Sequence, residues 1–390
     1  MTLLVGVLCA SLALLFWTYV GYPAALILWS RLRPRSPRSQ EWTPKVTVCI
    51  AVHNGMAHLD AKLDGLLSHD YPADLLDIVV VSDGSNDGTA ARLSQCASAR
   101  VHAVIELQRS GKTACLAKAI AAATGEVLVF NDIRQPIAPG SIRALCNALA
   151  TRELAVAGGT LALQAQAGYG QSVDAYWRYE TAVRSAEALT GSVVGVSGAL
   201  YAVRREDMVV PPPGLILDDL WIPLRIAAIG GRIGLVPSAV AFDHASMHRG
   251  AEAARKRRTL AGNWQLMFAW PQLVIPSLHP LAWRFISHKL LRLLAPVFLL
   301  AAFVSNALLV EYATVFTALF AAQCAAYIFA LFGMALPALR RFLPIRLASA
   351  FLEMNIYAVL GFYDFVRQRE AHLWSTAAAP TSSVSETLRP

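Results

Sequence analysis

The sequence predicts an α/β fold with a mixed, mostly parallel sheet, joined to transmembrane helices. Short runs of β-branched residues, typical of strands buried on both faces, alternate in the central part of the chain with leucines at helical spacing. Both ends of the chain carry apolar runs of membrane-spanning length. Of the 390 residues, 56% are hydrophobic and 15% are charged, a composition too apolar for a purely soluble enzyme.

The first two predicted strands follow the N-terminal apolar run. One covers residues 45–52 and ends at the turn residues His53-Asn54-Gly55, and the next covers residues 78–81 and ends at Asp83. A helical leucine pattern between them predicts a βαβ unit, which brings Asn54 and Asp83 to the same edge of the sheet. At that edge Asp83 can accept a hydrogen bond from a base or a ribose, or it can simply cap the next helix.

A lysine and an acid follow in the next two elements. Gly111-Lys112 begins a helix, and the earlier glycine that a P-loop requires is absent, which excludes a P-loop. Lys112 can still bind a diphosphate at the helix start, and the alternative is a solvated lysine. A strand at residues 126–130 runs into Asn131-Asp132, and an acid at a strand end beside a pyrophosphate is typical of a hard-cation site. The sheet pattern then fades, with a weaker strand near residues 154–157.

Two charged clusters lie farther along the chain. Asp218-Asp219 begins a helix after a proline-rich loop. These acids can cap the helix, or one of them, Asp219, can act as a general base that takes a proton from a hydroxyl group. The basic run at residues 255–259 lies on a predicted helix at residues 247–268. Such runs are usually solvated or face lipid, but this helix does not continue as an ordinary lipid-facing pattern, so both interpretations remain open.

Apolar runs at both ends predict membrane-spanning helices. Residues 2–29 have no charged segment before them and no small-residue cleavage site, which indicates an anchor and not a signal peptide. Residues 293–309 and 313–336 predict two more spans. Basic residues flank these runs on the side of the central domain, and the positive-inside rule therefore places that domain in the cytoplasm. A fourth apolar stretch, residues 347–365, carries acidic residues and favours an interfacial or protein-packed helix over a fourth span.

The net charge of +8 is compatible with nucleic acid or with anionic lipid. Lipid is the better interpretation because much of the excess lies beside the apolar runs, so we expect no nucleic-acid partner. The six cysteines show no metal or disulfide spacing, which fits a reduced cytosolic domain. The predicted division of the chain is an N-terminal transmembrane helix (1–30), a basic linker (31–44), a cytoplasmic domain (45–270), an interfacial segment (271–292), two transmembrane helices (293–311 and 313–336), an interfacial or fourth membrane helix (347–368) and a disordered tail (375–390).

Taken together, these motifs resemble those of membrane-bound family-2 glycosyltransferases, in particular the cellulose-synthase-like and poly-N-acetylglucosamine-synthase-like subgroup. Each motif is weak alone, and their order along the chain makes the resemblance specific. The match is incomplete at Arg134, which replaces the second acid of the family's Asp-x-Asp, and in the basic motif, where only Arg258 is kept. The matching segments are Ile50-Ala51-Val52-His53-Asn54, Val81 to Thr89, Gly111-Lys112, Asn131-Asp132-Ile133-Arg134, Asp218-Asp219 and Arg255-x-x-Arg258-Thr259.

The resemblance implies a nucleotide-sugar-binding domain of the GT-A type and a role for each matching residue. Asp219 would be the catalytic base. Mg²⁺ or Mn²⁺ would be held by Asp132, with Arg134 pairing directly with phosphate in place of the lost acid. The nucleotide-sugar site would comprise Asn54, Asp83, Lys112, Asp132 and Arg134. The site for the acceptor and the diphosphate would comprise Asp218, Arg255 and Arg258.

The function implied is inverting transfer of a sugar from a nucleotide-diphosphate sugar, expected to be a UDP-sugar, to a lipid-linked or polysaccharide acceptor. The enzyme would be a multi-pass protein of the inner (plasma) membrane with its catalytic domain in the cytoplasm. Its partners would be the nucleotide sugar, the acceptor and membrane lipids, with a homo-oligomer or a secretion partner to complete a channel. The alternative is a non-catalytic membrane scaffold or nucleotide sensor that retains the fold, which the replaced acid at Arg134 favours.

Overall fold

The computed structural model describes residues 1–96, 98–164, 170–244, 249–367 and 373. Within these residues one sheet has seven strands in the order β3-β2-β1-β4-β6-β5-β7. All neighbouring strands are parallel except β6, which runs antiparallel to β4 and β5. The strands are β1 Val46–Val52, β2 Leu76–Asp83, β3 Val101–Glu106, β4 Val127–Asn131, β5 Val156–Gln164, β6 Leu200–Arg204 and β7 Ile233–His244.

The sheet is covered by helices on both faces. The helices are α1 Thr2–Phe16, α2 Tyr22–Leu32, α3 Met56–Leu67, α4 Thr89–Ser94, α5 Lys112–Ala122, α6 Ser141–Leu149, α7 Gly170–Leu189, α8 Asp218–Ala228, α9 Arg249–Ala269, α10 Ala282–Phe285, α11 Leu291–Leu309, α12 Thr314–Ala335 and α13 Leu343–Arg367. Alternate side chains of β1 enter different cores: Val48 and Ile50 pack with α3 and α6, whereas Cys49 and Ala51 pack with α5 and α8. Each fully buried Val or Ile stabilises the fold by about 1.5–3 kcal/mol, which explains the unbroken apolar runs of these strands.

Four helical segments of the described chain are long and apolar enough to cross a membrane: Thr2–Leu32, Ala282–Leu309, Thr314–Ala335 and Leu343–Arg367. The first joins α1 and α2 through the π-helical turn Trp17–Gly21, and the second joins α10 and α11 through a similar turn at Ile286–Leu290. The second segment therefore begins eleven residues before the predicted start at residue 293, within the part of the chain that we expected to lie at the interface.

Helix α13 packs against both the sheet domain and the apolar helix α12. Near its start, Ser349 Oγ donates to the carbonyl of Ala330 in α12 at 3.1 Å. Near its end, Asp364 accepts two hydrogen bonds from the Arg257 guanidinium of α9, at 2.6 and 2.9 Å. This bidentate pair ties α13 to the sheet domain through α9.

The later strands depart most from the sequence-based expectation. The strand expected near residues 154–157 is the beginning of β5, which continues to Gln164, and β7 was not predicted. Both strands contain residues that weaken the strand signal, Gly158-Gly159 in β5 and Pro237-Ser238 in β7. The helix expected from residue 247 is α9, which begins at Arg249. The tail predicted at residues 375–390 lies outside the described residues.

Candidate active site

The predicted site residues follow the carboxyl ends of adjacent parallel strands. β1, flanked by β2 and β4, is followed by Asn54; β2 ends at Asp83; and Asp132 follows β4. The strand order reverses at β1, because β2 and β3 lie on one side of β1 and β4 lies on the other. Open α/β sheets bind ligands in the crevice at such a switch point.

Asp83 is fully buried and holds the loop that leads to Lys112. One carboxylate oxygen accepts from the backbone N–H of Ser110 at 2.6 Å and from the Ser110 hydroxyl at 3.1 Å, and the other accepts from the N–H of Gly111 at 3.0 Å. The loop passes so close that a Cβ at Gly84, whose φ is +57°, would lie 2.9 Å from the Arg109 nitrogen. Asp83 therefore sets the start of α5.

Asn54 joins the turn after β1 to the loop after β2. Its side-chain oxygen accepts from the Asn86 N–H at 2.9 Å, and its own N–H donates to Ser85 Oγ at 3.1 Å. Its φ of +55° lies in the left-handed region, which asparagine tolerates better than most residues. The described contacts give Asn54 a role in shaping the nucleotide edge, and direct contact with a nucleotide stays a prediction.

Lys112 lies between two carboxylates from distant parts of the chain. Its Nζ is 3.1 Å from Asp132 Oδ1 and 3.3 Å from Asp218 Oδ1. Burial alone would lower the pKa of Lys112, but the carboxylates of Asp132, Asp218 and Asp219 more than offset burial and hold this pKa above its ordinary value. The side chain is therefore a fixed ammonium ion where β4 meets α8.

Asp219 has the properties of a general base. Its Oδ2 accepts from the Gly198 N–H at 3.0 Å. Burial, with a further contribution from the charge of Asp218, raises its pKa to about 6. A carboxylate with such a pKa is ionised at neutral pH and is more basic than an ordinary aspartate, which suits it to accept a proton from a hydroxyl group.

The predicted basic residues are placed in different surroundings. Arg258 is close enough to Asp218, Asp219 and Asp132 for their charges to raise its pKa, although burial, the larger effect, leaves that pKa below the ordinary value. Arg255 pairs with Asp243 at 3.5 Å and with Glu252 at 2.6 Å. Arg134 is exposed, two residues after Asp132 on the same loop. The structure thus brings Arg258 to the acids and places Arg255 on a separate ion pair.

Oxygen ligands for a divalent cation are available beside Lys112. Asp132 is one, and Asp218 Oδ2, which is buried and lacks a hydrogen-bond partner among the described residues, is a second. In the described ranges, no three His, Cys, Asp or Glu side chains are arranged to hold a metal ion. The donor set fits an ion shared with a substrate diphosphate, whose oxygens would complete the coordination.

Three further polar residues at this site were missed in the sequence. Lys62 of α3 is buried beside the loop that carries Asp132, and Gln135 is buried within that loop. Asp243, near the end of β7, joins Gln135 to Arg255. Lys62 could have been found, because it is a charged residue on the leucine face of α3. Asp243 offered no comparable signal, since β7 itself was not predicted.

Comparison with known proteins identifies the family. The family model "Glycosyltransferase like family 2" matches residues 44–272, which is more than half of the chain. The comparison with curated proteins gives no match. Two of the similar solved structures are complexes with Mn²⁺. The mannosyltransferase PcManGT from Pyrobaculum calidifontis, with GDP-Man and Mn²⁺, has a TM-score of 0.66 and 22% identity over 93% of this chain and 99% of its own. GalNAc-T7 with UDP, GalNAc and Mn²⁺ has a TM-score of 0.42 and 17% identity over 53% of this chain and 44% of its own.

The family match covers every strand of the sheet and all of the candidate site residues. The likeness to PcManGT, at 22% identity, supports the fold alone. The mixed α/β sheet with its switch-point acids is the GT-A-like architecture that the sequence predicted. The chain therefore belongs to glycosyltransferase family 2 and is a glycosyltransferase.

Proposed function

We propose that this protein is an inverting glycosyltransferase that moves a sugar from a nucleotide-diphosphate sugar, a UDP-sugar in the first instance, to a lipid-linked or polysaccharide acceptor at the cytoplasmic face of the membrane. The observation that carries the proposal is that Lys112 Nζ lies within 3.3 Å of both Asp132 and Asp218. Asp219 is the next residue of α8. Membership in the family supports glycosyl transfer from a nucleotide sugar. It also favours the enzyme over a non-catalytic scaffold or sensor.

The donor would bind across the edge formed by β1, β2 and β4. Asn54 and Asp83 would shape the nucleotide seat, and Lys112 would bind the diphosphate at the start of α5, where unpaired backbone N–H groups also attract anions. Arg134 and Arg258 would add positive charge beside the leaving group. Fixed cations of this kind stabilise the negative charge that develops as the diphosphate departs.

The reaction would be a single displacement at the anomeric carbon. The acceptor hydroxyl gives its proton to the Asp219 carboxylate as its oxygen forms the new glycosidic bond. The bond between the anomeric carbon and the diphosphate oxygen breaks at the same time, and the nucleoside diphosphate leaves with the electron pair. One attack from the face opposite the leaving group inverts the configuration of the sugar.

Mg²⁺ or Mn²⁺ remains the predicted cofactor. Asp132 would hold the ion, which when bound would neutralise charge on the leaving diphosphate. Because Arg134 stands where the family has its second acid, the protein contributes few ligands to this ion. Full turnover in excess EDTA would contradict the metal prediction without affecting the role of Asp219.

The acceptor site is proposed to lie where the catalytic domain meets the membrane helices. Helix α9 carries Arg258 next to the acids and, one residue earlier, Arg257 in the ion pair with α13. An acceptor approaching from the membrane would therefore meet Asp219 beside α9. Because the few membrane spans of one chain would make a thin channel, a homo-oligomer or a secretion partner would be needed for a long glycan to cross the membrane.

The test is to purify the protein in lipid nanodiscs and screen UDP- and GDP-sugars for release of UDP or GDP with membrane lipid extract as acceptor. Asp219→Asn should abolish release while nucleotide-sugar binding survives. Asp74→Asn, an exposed carboxylate away from the site, is the matched control and should behave as the unmodified protein. Loss of binding in Asp219→Asn equal to the loss of turnover would assign this residue a structural role and contradict the proposed base.

A further inference from the structure

Helix α3 carries a buried lysine among its core leucines. Leu59, Leu63 and Leu66 pack into the hydrophobic core, and Lys62, on the same side, is only 5% exposed. An ammonium ion taken out of water costs several kcal/mol unless close partners compensate. A methionine or leucine here would avoid that cost, so the position of this charge calls for a physical reason.

The Lys62 ammonium joins the two ends of the loop that carries Asp132. It donates to the side-chain oxygen of Asn131 and to the backbone carbonyl of Gln135, the latter at 2.6 Å. Burial alternates along this loop: Asn131, Ile133 and Gln135 are buried, whereas Asp132 and Arg134 are not. Lys62 therefore holds the buried side of the loop, and the residues that would meet the diphosphate lie on the other side.

The contacts continue from this loop in two directions. Asn131 Nδ2 donates to the carbonyl of Ala199. The preceding residue, Gly198, donates its N–H to Asp219. Gln135 Nε2 donates to Asp243 Oδ2 at 3.1 Å, and the same oxygen lies 3.5 Å from the Arg255 guanidinium. One buried ammonium is thus connected to the base on α8 and to the basic helix α9.

The surroundings of Lys62 explain why its charge matters. Among the described residues, no carboxylate lies within ion-pair distance of Lys62, and its two hydrogen-bond acceptors are neutral amide oxygens. Burial lowers the pKa of Lys62 to about 7, opposed by the charge of Asp132. Lys62 thus acts on Asp132 through the loop that its two hydrogen bonds hold, without contacting Asp132 directly.

We infer that Lys62 is a positioning residue of this transferase: it fixes the Asn131–Gln135 loop so that Asp132 and Arg134 face the donor diphosphate, and through Gln135 and Asp243 it ties that loop to α9. The inference rests on the proposed function, since it assigns to that site the residue that orients its donor loop. Residues that orient substrate-binding groups from behind typically affect binding or activity by about 10- to 100-fold when removed.

The first test compares Lys62→Met, which keeps the apolar stem, with Lys62→Arg, which restores two donors. Lys62→Met should weaken binding of the donor nucleotide, measured with UDP and GDP, by about 10- to 100-fold, and Lys62→Arg should recover most of this loss. Lys118→Met removes an exposed lysine that pairs with Glu106 and controls for net charge. Leu66→Val, on the same helix, controls for general destabilisation of α3.

The outcomes separate this inference from the proposed function. If the unmodified protein neither binds nucleotide nor releases it from a nucleotide sugar, the proposed function fails. If the unmodified protein does both and Lys62→Met binds nucleotide as tightly, only the positioning role fails. It also fails if Leu66→Val weakens binding as much as Lys62→Met does, because α3 stability alone would then account for the loss.

A second test covers the case in which Lys62→Met does not fold. Gln135→Met keeps the backbone carbonyl that Lys62 uses and cuts the hydrogen bond to Asp243. In a double-mutant cycle with Arg255→Met, the two changes should be non-additive in kcat/KM, the double variant losing little more than the stronger single one. Additive losses would show that the loop and α9 are not coupled and would overturn the inference.

Discussion

Replacement of Asp218 by asparagine should move the acid limb of the pH–activity profile to lower pH. The reason lies in the order of causes at Asp219: burial raises the pKa of this base most, and the negative charge of Asp218 raises it further, to about 6 in total. Asparagine keeps the shape of Asp218 but removes the charge. Because a like charge at close range raises a carboxyl pKa by about one pH unit or more, the limb should move down by about one unit.

The size of the effect follows from the ionised fraction of the base. With a pKa of about 6, Asp219 is about 90% ionised at pH 7 and about 10% ionised at pH 5, so kcat/KM should fall about tenfold between these values. In Asp218→Asn the same interval should produce a fall of about twofold. The variant is expected to have lower absolute activity, since Lys112 loses one of its two carboxylate partners.

The assay is nucleoside diphosphate release from the donor found in the screen, measured as kcat/KM at half-unit steps from pH 4.5 to 8. Asp74→Asn, an exposed acid on the short helix before β2, provides the matched charge-removal control and should leave the limb in place. An acid limb that stays at the same pH in Asp218→Asn would refute the electrostatic reasoning. A limb that persists in Asp219→Asn at residual activity would refute the assignment of the base.

Three further predictions concern other parts of the chain. The pKa of Lys62 is about 7 in the folded protein, below its ordinary value of 10.5, so the unfolded chain binds the proton more tightly. The stability of the unmodified protein relative to Lys62→Met should therefore rise as pH increases from about 7 to 10, by at most about 4 kcal/mol. Thermal midpoints of the two proteins across this range give the measurement, and a constant difference would contradict the assigned burial. Gly361→Ala should destabilise the contact between α13 and α9 by about 1–3 kcal/mol, because the new Cβ would lie 2.8 Å from Leu260 Cβ. Gly65→Ala on α3, where nothing lies within 4 Å, is the control and should be neutral or slightly stabilising in the same thermal assay. Asp83→Asn should raise the KM for the donor about tenfold or more, because an amide group cannot accept all of the hydrogen bonds that Ser110 and Gly111 donate. An unchanged KM in steady-state assays would show that this loop does not contribute to nucleotide binding.

The edge of the sheet that carries the acids could be predicted because its strands are central and parallel. β1, β2 and β4 are buried on both faces, so their sequences are continuous apolar runs that stop where the chain leaves the core. The residues just beyond each run, Asn54, Asp83 and Asp132, must then lie along one edge. The meeting of Lys112 with Asp132 follows from the same logic, since α5 begins at that edge.

The contacts of Asp218, Asp243 and Lys62 could not be derived in this way. β6 begins beside Asn131 at the site and ends beside Val127 at the opposite end of the sheet. Asp218 reaches Lys112 only because the irregular segment after β6 returns the chain to the site before α8 begins. Asp243 depends on the register of β7 against β5, which includes a bulge between Gly158 and Thr160. The periodicity of α3 predicted a buried face at Lys62, but not the amide oxygens that would receive its ammonium.

The contacts of α13 bear on an alternative that its composition leaves open. By length and composition this helix can cross a membrane. Helix α11, however, begins beside the catalytic domain, where His288 of the preceding turn contacts Glu187 of α7 at 2.8 Å. A short turn after Leu309 leads into α12, whose 22 residues span about 33 Å and return toward the side on which α11 began.

Helix α13 therefore starts on the side of the catalytic domain, since it follows the end of α12 by a short connection and touches Ala330 there. Its other end is held to the same domain by the pair of Asp364 with Arg257. These contacts at its two ends favour the interfacial alternative for residues 347–368 over a fourth membrane helix, and the placement of this helix stays a prediction. In this arrangement α13 connects the apolar helix α12 to α9, and the lipid-linked acceptor that we propose would reach the catalytic acids along the same path.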